Sequence, residues 1–203
     1  MFQPYPSDQT YYGYFNDFMT YASGDFTITT TEAGTGSATE ALTSGAGGQL
    51  LLTNAAGDND LDFLQLKGES FKLSSSKRAY FSARFKVSDA TQSDFVMGLG
   101  ITDTTPLDTT DGVFFLKADG GTGLDFLIEK DNTATTTSSV ATIADDTFIT
   151  TNWFIDPDHS KVYYSIDNAE PVAVATTKLI TDETLTVSIG NTNGYADAKT
   201  NNN

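Results

Sequence analysis

Apolar and polar residues alternate with a period of two along much of this chain, the repeat that sends successive side chains to opposite faces of a β-sheet. Ala79 to Val87 reads Ala-Tyr-Phe-Ser-Ala-Arg-Phe-Lys-Val. Trp153-Phe154-Ile155 leads through a turn at Asp156-Pro157-Asp158 into Lys161-Val162-Tyr163-Tyr164-Ser165-Ile166-Asp167. Further strands are predicted over Phe26–Thr30, Gln49–Thr53, Asp94–Ile101, Gly112–Lys117, Leu124–Lys130, Val172–Ala175 and Thr184–Gly190. Leu61–Leu66 alternates less cleanly. Ala118 to Gly123 predicts the turn of one hairpin, and Asp167-Asn168-Ala169-Glu170-Pro171 that of another. Gly34–Gly48, Thr102–Asp111 and Asn132–Ser139 read as polar loops, and Tyr14–Tyr21 as the first strand and turn of the domain. No amphipathic stretch supports a helix of more than two turns. Roughly twelve or more short strands joined by turn residues predict an all-β, two-sheet antiparallel β-sandwich with almost no helix.

Length and composition agree with that pattern. A chain of 203 residues with 38% hydrophobic content suffices for one all-β domain with a full core. We expect an extended aromatic and Pro-bearing arm over 1–13, the sandwich over 14–190 and a polar tail over 191–203. No cysteine is present, so disulfides, thiolate metal sites and cysteine nucleophiles are excluded. The net charge of −16, from 27 acidic and 11 basic side chains, repels phosphate and argues against nucleic acid and anionic membranes as partners. The first residues carry neither a basic nor an apolar signal region, and no run is long enough for a transmembrane helix.

Candidate chemistry is sparse. A glycanase on such a sandwich would carry its carboxylates at alternate positions of one strand, as Glu-x-Asp-x-Glu, so that they share a face. Asp125 and Glu129 are four residues apart with Leu127 between them, and Asp58 and Asp60 fall in a turn, so no catalytic pair is expected and the chain reads as a non-enzyme. His159, the sole histidine, sits in the turn Asp156–Ser160. Gly120-Gly121-Thr122-Gly123 lacks the Lys-Ser/Thr and helix of a phosphate loop.

The ordered series Tyr80–Val87, Val96–Gly100, Asp111–Phe115, Asp125–Lys130, Trp153 and Val162–Val172 resembles the concanavalin A-like jelly roll. The form it is most similar to is the laminin-G-like one of tailed-bacteriophage structural proteins, in particular the capsid decoration proteins of marine phages and cyanophages. The resemblance implies a non-enzymatic virion protein on the outer capsid surface. Its partner would be the major capsid protein, as a homo-oligomer, a trimer being one arrangement, and it needs no cofactor. Phe2, Tyr5, Tyr11 and Tyr12 are then candidate capsid or subunit contacts. Laminin-G-like domains often hold Ca²⁺ at the sheet rim, for which Asp103, Asp108 and Asp111 supply hard oxygen atoms. The alternative is a carbohydrate-binding, lectin-like module on a capsid or fibre, with Trp153, Tyr163 and Tyr164 as the stacking aromatics. This fold normally closes with a further apolar strand; Thr200-Asn201-Asn202-Asn203 does not look like one.

Overall fold

The computed structural model describes residues 13–156, 158, 161–194 and 200–202. Among them are fourteen strands. In chain order these are β1 (Phe26–Thr31), β2 (Thr39–Leu42), β3 (Leu50–Thr53), β4 (Leu61–Leu66), β5 (Ala79–Val87), β6 (Ser93–Gly100) and β7 (Gly112–Lys117). Then follow β8 (Gly123–Lys130), β9 (Thr133–Thr142), β10 (Ile149–Asp156), β11 (Lys161–Ile166), β12 (Val172–Val174), β13 (Thr186–Asn193) and β14 (Thr200–Asn202). They form two seven-stranded sheets, ordered β1-β4-β13-β6-β7-β8-β9 and β12-β11-β10-β5-β14-β3-β2. The pairings are antiparallel. Two single 3₁₀ turns, Ser23–Asp25 and Pro106–Asp108, are the helical content of the described residues.

The alternation seen in the sequence is the cause. On β5, Phe81, Phe85 and Val87 are buried while Tyr80, Ser82 and Arg84 face out. On β10, Ile149, Thr151, Trp153 and Ile155 alternate inward in the same way. The inner faces meet in one apolar core, where Phe81 stacks on Trp153 at 5.7 Å and Phe85 meets Phe95 at 4.2 Å. Each such ring removed from water contributes about 1.5–3 kcal/mol, which lets the core hold the sandwich without disulfides.

Three segments depart from the sequence expectation. Tyr14–Tyr21 forms no strand: Asn16 Oδ1 accepts the Phe18 N–H and Asp17 Oδ1 the Met19 N–H, and Phe15 is 86% exposed. Side-chain turns take the backbone donors that a sheet would need. The run Asn132–Ser139, expected as a loop, belongs almost wholly to β9. Its Asp131-Asn132 turn has both residues left-handed, φ 51° and 56°, the two-residue geometry that matches hairpin twist. β9 is an edge strand, so its Thr and Ser side chains face water without cost, and the β-branched threonines fit extended backbone. The expected loop Gly34–Gly48 likewise contains β2.

The tail is the largest difference. β13 runs past Gly190 to Asn193, and Thr200–Asn202 inserts between β3 and β5. The closing strand therefore exists although its residues are polar. It is held by main-chain pairing on both sides, and it joins β2-β3 to the rest of the second sheet.

Candidate ligand-binding face

The first sheet is apolar on both faces, because its outward face carries a second buried cluster of Leu61, Phe63, Val96, Phe114 and Leu127, with Leu116 against it. Strand register arranges this face in rows. One row runs Phe63, Gly190, Val96, Leu116, Asp125. The next runs Gln65, Ser188, Gly98, Phe114, Leu127, Thr136, and a third Thr186, Gly100, Gly112, Glu129, Ala134. The glycines make room for Phe114. A Cβ at Gly98 would sit 2.5 Å from that of Phe114, and one at Gly112 would lie 2.9 Å from the Phe114 ring. This is the close approach that glycine inside a strand signals.

The face is closed at one end and more open at the other. Gln65 donates to the Ile101 carbonyl at 2.8 Å and accepts the Asp103 N–H at 2.8 Å, so the loop after β6 folds over that part of the sheet. Thr109 of the same loop reaches Gly100. Towards β8 and β9, Leu116, Asp125 and Glu129 are half-buried and Ala134 and Thr136 exposed. Asp125 Oδ1 accepts the Ser139 N–H at 2.7 Å. Burial first, then the neighbouring Asp108 and Asp111, push the Glu129 carboxyl above the ordinary carboxylate value. Glu129 was missed as a member of an acidic corner because Asp108 and Asp111 come from a different loop; the pairing Gly112↔Glu129 brings them together.

Asp125 and Glu129 share a face, as their even spacing requires. Leu127 fills the position between them.

The acids proposed for calcium are not placed to hold an ion together, although Asp108 and Asp111 both lie near Glu129. Asp103 Oδ1 is occupied by the Thr104 and Thr105 N–H groups and the Thr105 hydroxyl, Asp111 Oδ1 accepts the Asp131 N–H at 3.0 Å, and Asp108 is exposed. Short-range capping of their own loop uses these oxygens. Among the described residues no group of three Asp, Glu or His side chains is placed to hold a metal ion. Phe2, Tyr5, Tyr11, Tyr12 and His159 lie outside the described residues.

Of the aromatics named for sugar stacking, Trp153 is wholly buried and Tyr164 turns inward against Phe126 at 5.4 Å. Tyr163 alone faces out, in a cross-strand row with Phe154 and Tyr80. Phe154 and Tyr163 stack in parallel at 4.7 Å and 7°. That separation is about the spacing between strands, so the rings stand on end and present edges to solvent. Tyr80, 69% exposed, donates to Asn152 Oδ1 at 2.8 Å. Phe154 and Tyr80 were legible as outward positions from the parity of their strands.

No protein-family model matches the chain, and no curated protein is similar to it in sequence. Solved structures are similar in fold. The carbohydrate recognition domain of Emp46p, in its potassium-bound form, superposes with a TM-score of 0.58 at 10% identity, over 92% of this chain and 91% of that one. A GH16 protein of the Bacteroides ovatus mixed-linkage glucan locus, solved with a product, gives 0.60 at 13% identity over 92% and 95%. A Bacillus licheniformis β-glucanase gives 0.60 at 10% identity over 92% of each chain. By fold, this chain is a concanavalin A-like jelly roll.

Proposed function

We propose that this domain is a non-catalytic glycan-binding module, with the sugar lying along the β7–β9 end of the outward face of the first sheet. The observation that carries this reading is the row structure. The half-buried Leu116, resting on the buried Phe114 and Leu127, is bracketed on β8 by Asp125 and Glu129. A sugar ring has the matching character, with an apolar C–H face and a rim of hydroxyl donors for which carboxylates are strong acceptors. Several solved neighbours are named for carbohydrate recognition or glucan cleavage, which fits the same class of ligand.

A glycan array followed by titration calorimetry tests this. Binding that falls tenfold or more in Asp125→Ala and Glu129→Ala, with no hydrolysis of the bound glycan, is the expected result. An array with no signal above background overturns it.

A second reading, attachment to a protein shell such as a phage capsid, is supported by the outward row of the exposed Tyr80 and the half-buried Phe154 and Tyr163 on the other sheet. Aromatics that combine apolar area with a hydroxyl suit protein interfaces. Its test is the composition of purified particles by mass spectrometry; absence of the protein from mature virions removes this reading.

A further inference from the structure

At the edge of the sandwich, between the two sheets, lies a set of oxygen atoms that nothing described so far uses. Asp62 on β4 has the inward parity of Leu64 and Leu66 and no exposed surface. No backbone N–H, amide or basic group among the described residues donates to either of its carboxyl oxygens, and its side-chain partner is another acid, Glu40. Its register partner on β13 is Asn191, also wholly buried and on the same inner face. The Asn191 amide nitrogen is spent on Asn54 Oδ1 at 3.3 Å, and its Oδ1 is likewise without a donor. Directly opposed residues on paired strands hold their Cβ atoms about 4.5–5.5 Å apart, so these two side chains leave the sheet side by side.

The groups that close this volume are also oxygen donors. Glu40 on β2, from the other sheet, brings its carboxyl within interacting distance of Asp62, and Glu32 adds a further negative charge. The Tyr21 hydroxyl reaches Glu40 Oε2 at 3.5 Å. Burial, followed by the Glu40 carboxylate, pushes Asp62 up to about 8. Burial and the same two carboxylates push Tyr21 up as well. A buried carboxylate without a donor or counter-charge is among the most costly features a core can hold, and no basic side chain is hydrogen-bonded or ion-paired to this one among the described residues.

We propose that Asp62, Asn191, Glu40 and Tyr21 form a binding site for a hard, oxygen-seeking cation of the Ca²⁺ class, clamping the two sheets and the N-terminal segment together. Two carboxylates and an amide oxygen are ligand types that Ca²⁺ takes, with water completing its shell, while the Tyr21 hydroxyl donates to Glu40 and fixes that carboxylate in place. The half-buried Glu40 and the exposed Glu32 mark the route in from solvent. The site differs from the loop carboxylates Asp103, Asp108 and Asp111, and it is independent of the glycan reading.

The test is thermal unfolding of the whole chain, stripped with chelator and then supplied with CaCl₂, alongside calorimetric titration of Ca²⁺. Saturating Ca²⁺ is expected to raise the melting temperature on the order of 5 °C, with one ion bound per chain. Asp62→Asn keeps the shape of the side chain and is expected to abolish both effects; Glu40→Gln is expected to weaken Ca²⁺ binding at least tenfold. The proposal is overturned if the wild type shows neither shift nor bound Ca²⁺, or if Asp62→Asn retains both. Should Asp62→Asn fail to fold, Glu40→Gln decides in the same way, unchanged affinity in that variant counting against the site.

Discussion

Asp60 and Asp62 are two residues apart, and neither has any exposed surface. Asp60 accepts three backbone N–H groups, from Ala33 at 2.6 Å, Gly34 at 2.9 Å and Gly57 at 2.6 Å. Burial pushes its carboxyl up, but those three donors hold it below the ordinary value. Asp62 has the same burial and no such donors, and it moves the other way. Loss of water alone therefore does not decide the state of a buried acid; the number of donors aimed at it does. The surroundings explain who supplies them. Before Asp60 the chain turns through Asn59 at φ 62° and is stitched by Asn54 and Asn193, whose side chains bond the carbonyls of Asp60, Ala55, Gly57 and Asn191. That turn leaves N–H groups free to point at Asp60. Asp62 is already inside a strand, where β1 and β13 use the backbone donors.

The largest expected effect comes from removing the better-served acid. Asp60→Ala leaves three donors in a buried turn without an acceptor and should lower stability by about 3–5 kcal/mol in a denaturant titration. Asp62→Asn in chelator-stripped protein should act in the opposite direction, raising stability by about 2 kcal/mol, because it removes an uncompensated acid. Equal losses in both variants would break the comparison. A third measurement uses pH. A carboxyl held low in the folded state adds stability above its unfolded value and loses it as pH falls through the folded value. The gap between wild type and Asp60→Asn should therefore be constant near neutrality and shrink below about pH 4, the ordinary Asp range. A gap that stays constant through acid would mean that packing, not ionisation, carries the Asp60 effect. The smallest change is expected for Glu40→Gln in stripped protein, a gain of about 1 kcal/mol from removing the like charge beside Asp62.

In the sequence alone neither acid stands apart from its neighbours. Asp60 was counted as turn chemistry, which is where it sits, but its three donors come from two separate segments, Ala33-Gly34 and Gly57. Leu61–Leu66 was seen to alternate imperfectly, and the imperfection was the signal. With Leu64 and Leu66 facing the core, Asp62 shares their parity and must point inward. The outward rows of the first sheet were legible strand by strand. The acidic corner at Glu129 was not, because Asp108 and Asp111 reach it through a loop that no periodicity describes.

The sequence by itself determined the β-sandwich. Alternation along β5, β10 and β13, broken by Gly, Asn and Asp turns, admits no other burial of these aromatics. It also excluded thiol chemistry, and it set Leu127 between Asp125 and Glu129 on β8. Tertiary structure decided what depends on partners distant in the chain. It recruited the polar Thr200–Asn202 as an interior strand, since a ladder needs N–H and C=O groups rather than apolar side chains. It covered part of the outward face with the loop after β6. It also set Asp62 against Asn191 and Glu40, an encounter between residues 129 positions apart on one side and 22 on the other that pattern within a strand cannot show.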